Sequence, residues 1–193
     1  MTVKHLPTRI NILAVDPSLV ATAFCHPSGV TETVRPRTRG PERLYDLENM
    51  LLARCGIEGD EDAIQGLVPV SLVVMEGYSF HSKGKPFTVG ELGGVFRLAL
   101  WRNDIPLVVV PPKTVKKYAT GRGDADKAAM IASARKAHTM SIRDDHQADA
   151  FWMWQIGLYH YDKANQWRVK VSADRRAALD KVEWVDLTTE GVR

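Results

Sequence analysis

Two apolar runs in this chain each end on a single carboxylate: residues 11–15 lead to Asp16, and residues 71–75 lead to Glu76. Runs of that apolarity read as buried strands, and an acid at the tip of each is costly unless a cation or a proton offsets it. A third acid, Asp149, lies three residues after His146 in a segment that is otherwise almost wholly apolar. Three carboxylates and an imidazole from distant parts of the chain point to a divalent-metal site, and so to phosphodiester chemistry. Such a donor set favours a hard cation, Mg²⁺ or Mn²⁺, over zinc. Two ions about 3.5–4 Å apart would activate a water on one side of a phosphate and steady the leaving oxygen on the other. Neutral His146 could take a metal position or accept the water's proton. Each residue alone has a plainer use, as a loop cap, a helix start or half of an ion pair. Four coinciding in order along suitable elements favour the site.

The elements that must position these groups follow from pattern and punctuation. Residues 11–16, 20–26 and 31–35 read as an antiparallel meander, broken at Asp16-Pro17-Ser18 and at Pro27-Ser28-Gly29. Gly40-Pro41 ends the next loop, and Leu44, Leu47 and Leu51 recur at helical spacing between Glu42 and Arg54. Residues 56–66 are an acidic surface loop, 71–76 a fourth strand and 77–87 a loop with three aromatics and two lysines. Thr88-x-x-Glu91 has capping-box spacing, which predicts a helix from near Thr88 and gives Glu91 a structural task. Gly90, Gly93 and Gly94 in that helix suit close approach to a neighbouring backbone. Residues 105–110 form a fifth strand stopped by Pro111-Pro112, Asp124 to about His138 a polar helix, and 146–160 the last strong helix. Ser172 would cap a short helix in the tail, and Trp184 predicts that the tail docks.

Strands one and four, if paired in parallel, bring Asp16 and Glu76 out side by side about 4.8 Å apart. Two carboxylates that close raise each other's pKa unless cations sit between them. His146 and Asp149, at i and i+3, share one face of a helix whose other faces are apolar. The order of elements is α/β with a mixed five-stranded sheet and helices on both faces.

At 193 residues the chain fits one compact domain, residues 1–160, with 161–193 as an extension. A net charge of +3 is too small to argue for nucleic acid by itself. Its distribution is more telling: residues 111–138 hold seven Lys or Arg against two acids. Two further basic clusters are Arg35, Arg37, Arg39 and Arg43, and His81, Lys83 and Lys85. Each gains meaning only if it surrounds the acids. Cys25 and Cys55 lack metal-ligand spacing and read as reduced, buried thiols. Neither a membrane span nor the hydrophobic centre of a signal peptide is present, so a soluble cytoplasmic protein without a membrane partner is expected.

The motifs have a family likeness. LAVDPSLVATAF resembles the first-strand motif of RuvC-type Holliday junction resolvases, and VVMEGYSF resembles their second, a strand ending in glutamate. VPPKTVKKYATGRGDADKAAM is similar to their strand, paired lysines, Thr-Gly-x-Gly turn and Ala-x-Lys helix start. DDHQADAFWMW resembles their last motif. The likeness covers roughly residues 10–160, with the four motifs in family order. It implies an RNase H-like fold, a homodimer, and Mg²⁺-dependent paired nicking of four-way DNA junctions that leaves a 5′-phosphate and a 3′-hydroxyl. Two Mg²⁺ per site, replaceable by Mn²⁺, would be held by Asp16, Glu76, Asp149 and His146, the last standing where many members have Asp. Lys117 and Lys127 fall where family lysines meet DNA phosphates, with Lys116 competing for the former role. Arg122, Lys83 and Lys85 join that DNA-binding set. Tyr78 or Phe80 lies in the loop where the family places an aromatic that stacks on a junction base. Ser18 replaces a usual Gly, Ala23 stands where Gly is common, and the tail beyond residue 161 is untypical. These departures suggest a divergent member; a phage-encoded one is expected, acting in that case in the host cytoplasm, with any helicase partner unspecified. The rival expectations are another RNase H-fold nuclease acting on flaps or RNA–DNA hybrids, and a junction-binding protein whose site has decayed.

Overall fold

A computed structural model of the chain describes residues 10–57, 69–77, 86–138, 141–162 and 170–187, with the side chains of 86–89 excepted. Strands β1 (Ile12–Asp16), β2 (Thr22–Cys25) and β3 (Thr31–Val34) form the antiparallel meander. Helix α1 (Gly40–Cys55) then leads to β4 (Leu72–Glu76), α2 (Pro86–Arg102) and β5 (Leu107–Val110). The five strands lie in the order β3-β2-β1-β4-β5, with β1, β4 and β5 mutually parallel. The mixed sheet and the strand positions agree with the sequence expectation.

Alternation along the central strands divides the core into two layers. Ile12, Ala14, Leu72, Val74 and Val108 face one side, packed with Phe151, Trp152 and Ile156. Leu13, Val15, Val73 and Met75 face the other, with Leu47 and Leu51 of α1 and Leu92 and Phe96 of α2. Helices therefore cover both faces. The first layer is completed by α3 (Pro112–Thr120), α4 (Lys127–Ala137) and α5 (Asp145–Tyr161). Asp16 and Glu76 continue the parity of Ile12-Ala14 and Leu72-Val74, so both belong to the α5 side.

Helix α5 is buried over Gln147, Ala148 and the whole run from Ala150 to Leu158. It lies close on the sheet at Gly157, where an added β-carbon would sit 3.0 Å from Val74 Cγ2 and 3.1 Å from Ile12 Cδ1. Its start is fixed by Asp144, whose Oδ1 accepts from the Gln147 amide at 2.8 Å while Thr33 Oγ1 donates to its Oδ2 at 2.9 Å. The side chain of Asp144 thus satisfies an amide that has no partner within the helix.

Several local expectations need correction. Helix α3 was not foreseen: Pro111-Pro112 ends β5, but a proline at the first helical position also starts a helix. Its buried face is Thr114, Val115, Tyr118 and Ala119, which leaves the paired lysines on the outer side. Gly121, with φ +87°, closes it and donates its amide to the Lys117 carbonyl at 2.8 Å. Helix α2 begins at Pro86, so Thr88 lies inside the first turn rather than at a cap. A β-carbon on Gly90 or Gly94 would meet nothing within 4 Å among the described residues, so the expected close backbone approach is not made there. Gly40-Pro41 ends the loop as expected but also forms the first turn of α1, which starts two residues before Glu42. The polar helix α4 starts at Lys127, because Asp126 caps it by accepting from the Ala129 amide at 2.8 Å.

The tail folds back onto this layer. Helix α6 (Ala173–Arg176) continues as a 3₁₀ turn, Ala177–Lys181, with Ser172 at the cap position but making no side-chain cap bond. Arg175 donates from Nε to the Tyr118 carbonyl at 2.6 Å and from Nη2 to the Ala119 carbonyl at 2.5 Å, serving the exposed end of α3. Trp184 stacks on His160 with ring centroids 3.7 Å apart, so the expected docking of the tail is made. Cys25 and Cys55 are buried and unpaired, as expected of reduced thiols. Among the described residues no helix is long and apolar enough to cross a membrane.

Candidate metal centre and nucleic-acid interface

The C-terminal edge of the parallel strands gathers the four residues singled out by type and spacing. The pairing of Val15 with Met75 sets Asp16 beside Glu76. Helix α5 enters over the same edge and carries His146 and Asp149 on its first turns. His146 Nδ1 lies 2.6 Å from Asp16 Oδ2, and Asp16 and Glu76 share a hydrogen bond.

Burial governs the electrostatics. Asp16 is 5% exposed, and loss of water pushes its pKa up against the pull of His146. Glu76 is pushed well above the ordinary carboxylate range, first by burial and then by the charges of Asp16 and Asp149. Asp149 is raised to about 7 by burial, with Asp16 and Asp145 adding repulsion. His146 is raised by its bond to Asp16. Three acids are thus held where ionisation is costly unless positive charge arrives.

Among the described residues no three such side chains enclose a common point as they stand. Asp16 is engaged by His146 and Glu76, so these donors are spent on one another. The set nonetheless fits a hard divalent ion by chemistry: three carboxylates, one imidazole, and a buried Asp149 Oδ1 that has no hydrogen-bond partner. A buried carboxylate oxygen left without a donor is destabilising in the free chain, and a cation would supply what it lacks.

The expected basic residues separate into three groups. Lys116 is near enough to lower the pKa of both Glu76 and Asp149. Lys117, one residue on, faces the tail and pairs with Asp174 at 3.5 Å. Lys127 is exposed and pairs with Asp145 at 2.5 Å, while also feeling the charges of Asp149 and Asp16. Arg122 is exposed and paired with Asp124 at 3.2 Å, so it is not drawn to the acids. Tyr78, Phe80, Lys83 and Lys85 lie outside the described residues.

Asp145 was missed. It bears on Asp16 and Asp149 and anchors Lys127, whose ammonium keeps the Asp145 carboxyl low despite partial burial. The Asp144-Asp145-His146 run held the signal, since acids favour the positive end of a helix.

No protein-family model matches the chain. It is similar to the crossover junction endodeoxyribonuclease RuvC of Nocardia farcinica, 27% identical over 122 residues, which take in 63% of this chain and 64% of that relative. The match therefore spans a little under two thirds of that relative's own length. The RuvC of Rhodococcus jostii is 28% identical over 177 residues, covering 89% of this chain and 92% of the relative. Among solved structures, Thermus thermophilus RuvC in complex with a Holliday junction substrate superposes with a TM-score of 0.57 at 19% identity, covering 85% of this chain and all of that one. The fold is accordingly that of RuvC, RNase H-like and α/β.

Proposed function

We propose that this RuvC-like chain is a divalent-metal-dependent endodeoxyribonuclease that resolves four-way DNA junctions and other branched DNA by paired nicking. The observation that carries the reading is the meeting of Asp16, Glu76 and Asp149, three acids of raised pKa, with His146 at one end of this sheet. An arrangement so costly in the free chain is understandable as the resting form of a cation site. Its RuvC likeness supplies the substrate class.

Asp16, Glu76, Asp149 and His146 would hold Mg²⁺, two ions per site, with Mn²⁺ as a substitute. Bound there, such ions would polarise the scissile phosphate and lower the pKa of an attacking water. The chain's own residues do the rest. Asp16 orients His146 through Nδ1, and the half-buried ring is then set to hold or take a proton near the strand ends. Lys116 draws phosphate toward the acids and offsets repulsion between substrate and site. Lys127 is available to a second phosphate once it leaves Asp145. Tyr78 or Phe80 would stack on a base at the branch. A homodimer would present two such sites to the two-fold symmetry of a four-way junction, in the cytoplasm.

Asp16→Asn is the direct test. Junction binding should persist while cleavage with Mg²⁺ falls by about 10³-fold or more, the scale of several kcal/mol in the barrier. Full cleavage by that variant would remove the metal-site reading. Parallel rates on a four-way junction, a flap and an RNA–DNA hybrid decide the substrate. Titration calorimetry showing no Mn²⁺ binding would leave only a junction-binding protein.

A further inference from the structure

The sheet register places a second basic element beside the acidic edge, opposite α3. Asp16 pairs across to Ala23, and Ala23 pairs across to Thr33. Thr33 is therefore level with Asp16, two strand spacings or about 10 Å away. Its hydroxyl bonds Asp144 at the head of α5, so this end of β3 adjoins the helix that delivers His146. β3 runs in the same direction as β1, and the chain leaves it through Arg35-Pro36-Arg37-Thr38-Arg39 on the same edge as Asp16 and Glu76. Arg35 comes two residues after Thr33, the spacing that returns an extended chain to the same side.

This arginine segment is pinned but its charges are free. Thr38 donates its hydroxyl to Asp46, and Arg43 Nε donates to the Thr38 carbonyl at 3.0 Å, fixing the middle of the segment to α1. Arg35, Arg37 and Arg39 are exposed. Among the described residues none of the three makes an ion pair or a side-chain hydrogen bond, unlike Arg54, Arg122 and Arg175. Across the edge the order is arginine segment, acidic pair, then the lysine helix α3. A polyanion crossing the acids from Lys116 would meet three guanidiniums on leaving them.

We propose that Arg35, Arg37 and Arg39 form a second phosphate-binding arm, holding the DNA backbone on the β3 side of the site while α3 holds it on the β5 side. The proposal rests on the nuclease reading and adds the path of the substrate to it. Guanidinium forks suit phosphate oxygens, and an arm pinned at Thr38 presents them with little ordering cost.

The test is salt-dependent binding of an immobile four-way DNA junction by the full chain in chelator, read by fluorescence anisotropy. Loss of three phosphate contacts lowers the slope of log K against log salt by about 2–3, since each contact contributes about 0.9. The R35A/R37A/R39A chain should show that loss and bind about 10–100-fold more weakly near 0.1 M salt, with an unchanged melting temperature. The corresponding triple lysine variant should keep the slope. R97A/R102A, on the turns of α2 that lead to the opposite end of β5, should leave it nearly unchanged. An unaltered slope in the triple alanine variant, or an equal loss per charge in R97A/R102A, overturns the arm. Cleavage by the wild-type chain is scored apart. If it cuts no DNA yet the slope loss is seen, the nuclease reading falls and the arm stands. If it cuts and the slope is unaltered, the arm falls alone. If the wild-type chain does not bind the junction, both fall.

Discussion

His146 Nδ1 sits 2.6 Å from Asp16 Oδ2, joining the first turn of α5 to the last residue of β1. This bond ties together two segments 130 positions apart in the chain. It also means that Asp16 is turned toward the helix in the free protein. His146→Ala should therefore release Asp16 and slow junction cleavage by about 10²–10³-fold, the range of a lost acid–base or ligand group. His146→Asp, which restores an oxygen donor, should recover part of that loss. Wild-type rates in the alanine variant would reduce the imidazole to packing.

Asp149 gives a prediction in the absence of metal. Its folded pKa of about 7 lies above the ordinary 3.8, so its favourable contribution is present below pH 3.8 and is lost as pH rises through 7. With chelator present, Asp149→Asn should melt about 2–4 °C higher than the parent at pH 8.5, on the order of 1 kcal/mol for a chain of this size, with the gap narrowing as pH falls below 7 and closing only as pH approaches 3.8. Added Mg²⁺ should raise the parent's melting temperature more than the variant's. A variant that melts lower than its parent in chelator at pH 8.5 contradicts the buried-charge argument.

Glu32 on β3 supplies the opposite sign. Burial works to raise it, but His26 at 2.7 Å and the two-pronged Arg54 at 2.7 and 2.9 Å outweigh burial and hold it near 2. A pKa depressed from 4.5 contributes stability above pH 4.5 that is lost as pH falls toward 2. Discounted for partial exposure, the effect is about 1–2 kcal/mol. Glu32→Gln should be less stable than the parent at pH 6, and the two should converge below pH 3 in urea titrations.

The neighbouring lysines of α3 should behave differently. Lys116 acts on Glu76 and Asp149, whereas Lys117 is paired with Asp174 of the tail. Lys116→Ala should cost about 10-fold or more in cleavage rate, while Lys117→Ala should change it by less than about 3-fold, since exposed pairs contribute little. Equal losses would place both on the substrate.

Much of this arrangement was legible in the sequence, because strand alternation and helix spacing are local. Apolar runs ending on Asp16 and Glu76, and the i, i+3 pair on α5, sufficed to bring four groups to one edge. What escaped depended on context. Pro111-Pro112 is both a strand stop and a helix start, and only the packing of Val115 and Tyr118 decides for the helix. Which paired lysine faces the acids depends on the rotation of α3, a helix whose last carbonyls are held by a tail residue, Arg175, remote in sequence. The arginine segment could be seen as basic, but its position needed the β1-β2-β3 register.

Gly157 has a consequence for the reach of the chemistry. It lies eight residues after Asp149 on α5, about 12 Å along the axis. Its bare α-carbon lets the helix settle against Ile12 and Val74, and so determines how deeply Asp149 and His146 descend toward the strand ends. A single methyl group at that point would act through a rigid lever. Gly157→Ala should lift the helix by a few tenths of an ångström and lower cleavage more than it lowers junction binding, measurable as a fall in kcat at nearly constant Kd. The separation between the acids of the sheet and those of the helix is thus set by the absence of a side chain two turns beyond them.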